Sequence, residues 1–224
     1  RDGRIVPIYR LFANLRMNLM PYILQEARHS ARTSRPMMAH LVYDFLESDG
    51  EAVLDIEDEY MFGRSLLVAP VVTEGASGRQ VYLPRGRWLD FWTGEAFEGG
   101  AHIRCECGLD RIPVFVKYGS VLSVKLNAAM CMGTTQAEGA AGNSLEGYEN
   151  FGLLVYGGRA AAGFEDGAAG SFSLYWREGR PGIEGESRCP VWLFLMEKGE
   201  ERPDGEKRAA GRFFGRDLAG LRLD

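Results

Sequence analysis

From about residue 60 onward the chain is cut into short apolar runs by turns rich in glycine and proline, roughly 8–12 residues apart, and that texture belongs to all-β folds. Strands are expected at 66–72, 80–83, 88–91, 102–107 and 114–117, joined by EGASG, PRGR, TGE and EGG. Such connections hold the residues that tight hairpins require. The pattern predicts an antiparallel sandwich whose inward side chains share one core. Within it, VAPVV (68–72) reads as a buried central strand, and the acids ahead of it, Asp55 to Glu59, as a solvated loop. Beyond a Gly/Ala-rich stretch, runs at 151–156, 171–176 and 191–196 suggest a second, partial β-domain. The charged, glycine-rich tail shows no period and predicts no regular structure.

The first 45 residues follow a different rule. Ile8, Leu11, Phe12, Leu15, Leu19, Tyr22 and Ile23 recur at three- and four-residue steps, which makes residues 8–30 an amphipathic helix. Pro21 removes a backbone donor inside that pattern, so the helix should kink or restart there. The run PMMAHLVYDF (36–45) is apolar without alternation, as in a strand covered on both faces. One helix and one strand cannot close a sheet. The stripe from Leu11 to Ile23 is therefore expected to lie bare, with a tendency to self-associate.

Composition excludes several functions. A net charge of −5 offers no basic surface to nucleic acid or to an anionic membrane. No apolar stretch approaches the roughly 18 residues of a membrane span, and RDGRIVPIYR has neither the core nor the cleavage site of a signal peptide. Four cysteines, Cys105, Cys107, Cys131 and Cys189, lack the paired spacing of a zinc site and read as small half-buried thiols in a reducing, cytoplasmic setting. No metal or cofactor is expected.

Catalytic signatures are missing. The chain holds no G-x-S-x-G, H-E-x-x-H, Walker-type loop or G-x-G-x-x-G. Its three histidines, His29, His40 and His102, lack local support for a triad, and His40 reads as a hydrogen-bonded core residue. A retaining glycosidase needs two carboxylates about 5–5.5 Å apart across the scissile bond, which neighbours in one loop such as Asp55 to Glu59 do not supply. Trp88 and Trp92 of GRWLDFWTGE could stack on sugar rings, but bulky groups on both strand faces point instead to sandwich core. No residue is assigned a catalytic, cofactor-binding or metal-binding role.

Four segments in order, LRMNLMPYILQEARHSARTSRPMM, DEYMFGRSLLVAPVV, GRQVYLPRGRWLDFWTGEAFEGG and LDRIPVFVKYGSVL, resemble glycoside hydrolase family 31, densely over residues 9–122. That family contains α-glucosidases, α-xylosidases and related retaining α-glycosidases. The resemblance implies a C-terminal part: residues 1–54 as the last helix and strand of a (β/α)8 barrel, 55–125 as the proximal β-sandwich, and 126–224 as a partial or degenerate distal β-domain. It also implies that the catalytic aspartates lie outside this chain, so the chain alone is expected to be inactive. Its partners would then be the carbohydrate substrate of the parent enzyme and the missing barrel portion. Two departures stand out: Ala39, His40 and Leu41 follow Met38 where the family continues M-R-P-L, and SFSLY (171–175) runs on as Trp176, Arg177, Glu178 and Gly179 in place of an L-Y-E-D-D-G-like turn. A non-catalytic carbohydrate-binding module and a structural interaction module are the alternatives.

Overall fold

The computed structural model describes residues 2–128, 130–142 and 147–196, together with the backbone of two short strands, Phe213–Phe214 and Arg222–Leu223. The chain begins with α1 (Ile5–Asn18), α2 (Met20–Thr33), β1 (Met38–Ala39) and α3 (Val42–Asp49). Then come β2 (Tyr60–Phe62), β3 (Leu66–Val68), β4 (Gly78–Leu83), β5 (Arg87–Asp90), β6 (Ala96–Glu98), β7 (Ala101–Glu106) and β8 (Val114–Lys117). A further set follows: β9 (Ser120–Leu126), β10 (Cys131–Met132), β11 (Asn150–Tyr156), β12 (Ala162–Asp166), β13 (Gly170–Arg177), β14 (Arg180–Ser187) and β15 (Val191–Leu195). Two compact units result, one of Glu26–Tyr118 and one of Arg1–Gln25 with Gly119–Asp224.

In the Glu26–Tyr118 unit a six-stranded sheet runs β1-β2-β3-β8-β5-β6, antiparallel at every pair, and β4 pairs with β7 in a second sheet. Their inward residues form one core, Met61, Leu67, Trp88 and Phe115 meeting Val81 and Leu83, with Phe45 of α3 among them. Each such side chain contributes about 1.5–3 kcal/mol on burial. This is the antiparallel sandwich the turn spacing predicts. Strand 114–117 lies where expected, and 80–83, 88–91 and 102–107 are displaced by one or two residues.

Three expectations are corrected here. The run 36–45 is not one strand: β1 keeps only Met38 and Ala39, and the chain then turns into α3. Leu41 and Phe45, four apart and both buried, form a helical stripe, and a short apolar run does not distinguish that from a covered strand. His40 consequently sits at the helix start, where its Nδ1 accepts from the Val42 amide at 3.2 Å. VAPVV is not a buried strand either. Pairing stops at Val68, the Ala69 amide donates once more to the Pro113 carbonyl, and Val72 is 69% exposed; Pro70 has no N–H to extend the ladder.

The third correction concerns the Arg1–Gln25 and Gly119–Asp224 unit. The helix does restart at the proline, α1 ending at Asn18 and α2 beginning at Met20 with Pro21 in its first turn, where a missing N–H costs nothing. Its stripe, however, is not bare. Leu11, Leu15, Leu19 and Tyr22 are buried, and the exposed apolar side chains are Ile5, Val6 and Tyr9. Asn14 donates to the Thr134 carbonyl, and Asn18 bridges the Lys125 carbonyl and the Gly133 amide. Behind them β9 pairs antiparallel with β11, and β11 pairs parallel with β15. Phe151, Leu153 and Val155 of β11 meet Phe164, Phe172 and Leu174 of the β12-β13-β14 sheet, giving the expected second β-domain its own core.

Candidate functional site

The densest polar constellation in the Glu26–Tyr118 unit surrounds Glu59, at the entry to β2. Alternation along the strand puts Glu59 on the inward face with Met61, and both are buried. The solvated-loop expectation therefore fails for this one acid of the four. Its Oε1 accepts the Tyr82 amide at 2.9 Å and Arg79 Nη2 at 3.2 Å, while Oε2 is buried without a hydrogen-bond partner among the described residues. Burial pushes the carboxyl up to about 7; the Tyr82 amide and Arg79 oppose this, and Asp58 reinforces it.

Arg79 can do little more for Glu59 because its donors are shared. Nε binds the Gln80 carbonyl at 2.8 Å, and Nη1 binds those of Asp58 at 2.9 Å and Pro70 at 2.7 Å. Asp58 also takes Nη2 at 2.7 Å, closer than Glu59 does. The guanidinium thus ties the entry of β2, the segment after β3 and the start of β4 to one point. At the other end of Tyr82, the phenol donates to Asp49 at 2.7 Å, and the Arg85 amide donates to the same oxygen at 2.9 Å. Burial and the Asp49 bond raise the phenol to about 12, so it stays a donor. Against the cost of burial, bonds from Ser48, Tyr82 and the Arg85 amide hold Asp49 below the usual carboxylate range.

A second buried carboxylate, Glu26 of α2, is gripped by Arg64: amide N to Oε2 at 3.1 Å, Nε to both oxygens, and Nη2 to Oε1 at 2.8 Å. Chemically these groups form clamps, each carboxylate held by an arginine or by amide and phenol donors. Glu59 and Asp49 engage Tyr82 from opposite ends, its backbone and its phenol, so the residue lies between them where a glycosidic bond would have to be.

The other singled-out residues are placed as follows. Trp88 is in the core, its Nε1 donating to the Pro84 carbonyl at 2.7 Å and its ring 5.9 Å from Phe45. Because β5 ends at Asp90, Trp92 lies in the following turn, half-buried, with Nε1 on the Ile112 carbonyl at 2.8 Å. Neither offers a free sugar platform of the kind considered from the sequence. His29, His40 and His102 occupy α2, the start of α3 and β7, and the His102 ring lies tilted against that of Tyr82, with centroids 5.0 Å apart. The cysteines are half-buried and not disulfide-bonded, and burial pushes Cys105 up to about 11, far from a thiolate nucleophile at neutral pH. Among the described residues no three His, Cys, Asp or Glu side chains converge as a metal site, and no helix is long and apolar enough to cross a membrane.

The sequence places Glu59 in a solvated loop, and it singles out none of Arg79, Tyr82, Asp49, Glu26 and Arg64. Two had a legible signal. Glu26 continues the helical stripe four residues after Tyr22, and Glu59 shares strand parity with Met61; an acid on an apolar face signals a buried pair.

Residues 34–122 match the model of the glycosyl hydrolase family 31 C-terminal domain. The chain is 39% identical over 155 residues to an isomaltosyltransferase of Sporosarcina globispora, which covers 69% of this chain and 14% of that protein. It is 40% identical over 112 residues to an α-xylosidase of Saccharolobus solfataricus, covering 50% of this chain and 15% of the relative. Among solved structures, the cycloalternan-forming enzyme of Listeria monocytogenes in complex with a pentasaccharide substrate superposes with a TM-score of 0.74 at 30% identity, over 87% of this chain and 18% of that one. The chain therefore spans about one seventh of these curated relatives.

Proposed function

This chain belongs to glycosyl hydrolase family 31, whose C-terminal domain it carries at residues 34–122, and we propose that it serves as the C-terminal region of a retaining α-glycosidase acting on terminal α-linked sugars of the glucoside or xyloside class. The observation that carries this reading is the similarity of 87% of the chain, at 30% identity, to the cycloalternan-forming enzyme of Listeria monocytogenes. In this reading α1, α2 and β1 are the last helix and strand of a (β/α)8 barrel. Retention of configuration requires a carboxylate nucleophile and a carboxylic acid on either side of the bond, with a covalent glycosyl intermediate between two displacements.

The buried carboxylates among the described residues are otherwise engaged. Glu26 is held by Arg64, Glu59 meets Arg79 and the Tyr82 amide, and Asp166 takes the Tyr148 phenol and the amides of Ala168 and Ala169. The reacting pair then comes from polypeptide outside these residues, and the chain supplies a rigid β-support with the substrate pocket elsewhere. The purified chain should release no nitrophenol from nitrophenyl α-glucoside or α-xyloside above a mock preparation. Turnover by the chain alone would overturn the assignment of catalysis to another segment.

A further inference from the structure

The hairpin joining β13 to β14 gathers three arginines that have no carboxylate partner among the described residues. Its two-residue turn, Glu178 and Gly179, has φ of 50° and 78°, the geometry of a type I′ connection. So tight a turn sets Arg177 directly opposite Arg180 in the ladder, and like charges in direct register destabilise a strand pair. Arg159 approaches from the preceding loop, its Nη2 3.2 Å from where a Cβ on Gly179 would stand. None of the three lies within ion-pair distance of a described carboxylate. Six other arginines of this chain of net charge −5, Arg4, Arg35, Arg64, Arg79, Arg87 and Arg104, each have a carboxylate partner.

Arg177 is also held in place. Its guanidinium stacks 4.7 Å over the Tyr175 ring, and that ring reaches across to Gly182, where any Cβ would run into it. Down the same sheet face from the tip, the opposed pairs are Arg177 with Arg180, Tyr175 with Gly182, Ser173 with Glu184, and Ser171 with Glu186. Three positive charges thus meet one acid, Glu178 of the turn, at the tip, and further acids begin two pairs below it. A stacked guanidinium loses less side-chain freedom on binding than a free one, and its planar fork matches the oxygens of a phosphate or sulfate group.

We propose that this hairpin tip is a binding site for a compact oxyanion, a phosphate or sulfate group, either free or esterified to a saccharide. Arg177 supplies the oriented fork, Arg180 and Arg159 supply further donors and charge, and the bound anion relieves the repulsion across the ladder.

The test is isothermal titration calorimetry of the full chain with inorganic phosphate, inorganic sulfate, glucose 6-phosphate and glucose, chloride holding the ionic strength constant. Saturable binding of the anions and none of glucose is expected. The double variant R177A/R180A should bind at least about tenfold more weakly, given the strength of hydrogen bonds to charged groups. R177K, which keeps the charge and loses the fork, should fall between. R104A, altered at an arginine already paired with Glu106, should bind as the wild type does. Tighter binding of glucose 6-phosphate than of inorganic phosphate identifies a sugar-borne group as the ligand, and equal binding identifies the free anion. The proposal is overturned by an absence of saturable anion binding in the millimolar range. It is equally overturned by undiminished binding in the double variant, whose folding circular dichroism would verify.

Discussion

Replacing Glu59 by glutamine should change how stability depends on pH more than it changes stability itself. The carboxyl titrates at about 7 in the folded chain against an ordinary value of 4.5, so between those values the native state holds a proton that the unfolded chain releases. Stability from this group is therefore complete below about pH 4.5 and is lost as pH rises through about 7. The loss accumulates at about 1.4 kcal/mol per pH unit in that window and reaches a ceiling of about 3 kcal/mol. The structural cause is visible in the hydrogen bonds. Both donors go to Oε1, Oε2 is buried without one among the described residues, and Arg79 divides itself among three carbonyls and Asp58. E59Q keeps the shape and the acceptor for the Tyr82 amide and cannot ionise. Urea unfolding of both proteins from pH 5 to 8.5 is the assay. The variants should agree within about 1 kcal/mol at pH 5, the cost of one unsatisfied amide, and E59Q should be the more stable above pH 8. Subtracting one profile from the other removes groups shifted the opposite way, such as Asp49. Parallel profiles, or a wild type that gains on E59Q as pH rises, would refute the reasoning, since either means that Arg79 holds the carboxylate ionised.

Other substitutions probe the remaining clamps. R64A strands the buried carboxylate of Glu26 and should cost about 2–3 kcal/mol, discounted for the half-exposed arginine, read as a lower urea midpoint. W88A removes a core ring together with its bond to Pro84 and should cost about 3–5 kcal/mol; near-ultraviolet circular dichroism would show the loss of packing. S123A deletes a buried hydroxyl that has no partner among the described residues and should be neutral or stabilising by up to about 1 kcal/mol in thermal unfolding.

What the sequence revealed follows from which forces are local. Strand 114–117 and the helix break at Pro21 were legible because turn chemistry and a missing N–H act within a few residues. The segment 36–45 was not, since Leu41 and Phe45 fit a helical stripe and a covered strand equally until their neighbours are known. VAPVV failed through the reverse error, an apolar run read without weighing that Pro70 cannot continue a ladder. The Glu59 clamp needs Arg79 and Tyr82, 20 and 23 residues onward, and no period in the sequence encodes that meeting. Expectations for the tail beyond residue 196 fall outside the described residues, apart from the backbone of its two short strands.

The Asn18 side chain donates to the carbonyl of Lys125, 107 positions later. A ribosome adding about 5–20 residues per second needs roughly 5–20 s to reach that partner after α1 has been made. Throughout that interval Glu26–Tyr118 is being completed as an unbroken stretch that can collapse on its own core, whereas α1 waits with Leu11 and Leu15 uncovered. Exposure to chaperones and to misassembly before Lys125 is made thus falls on α1, whose side chains must wait for a partner 107 positions onward.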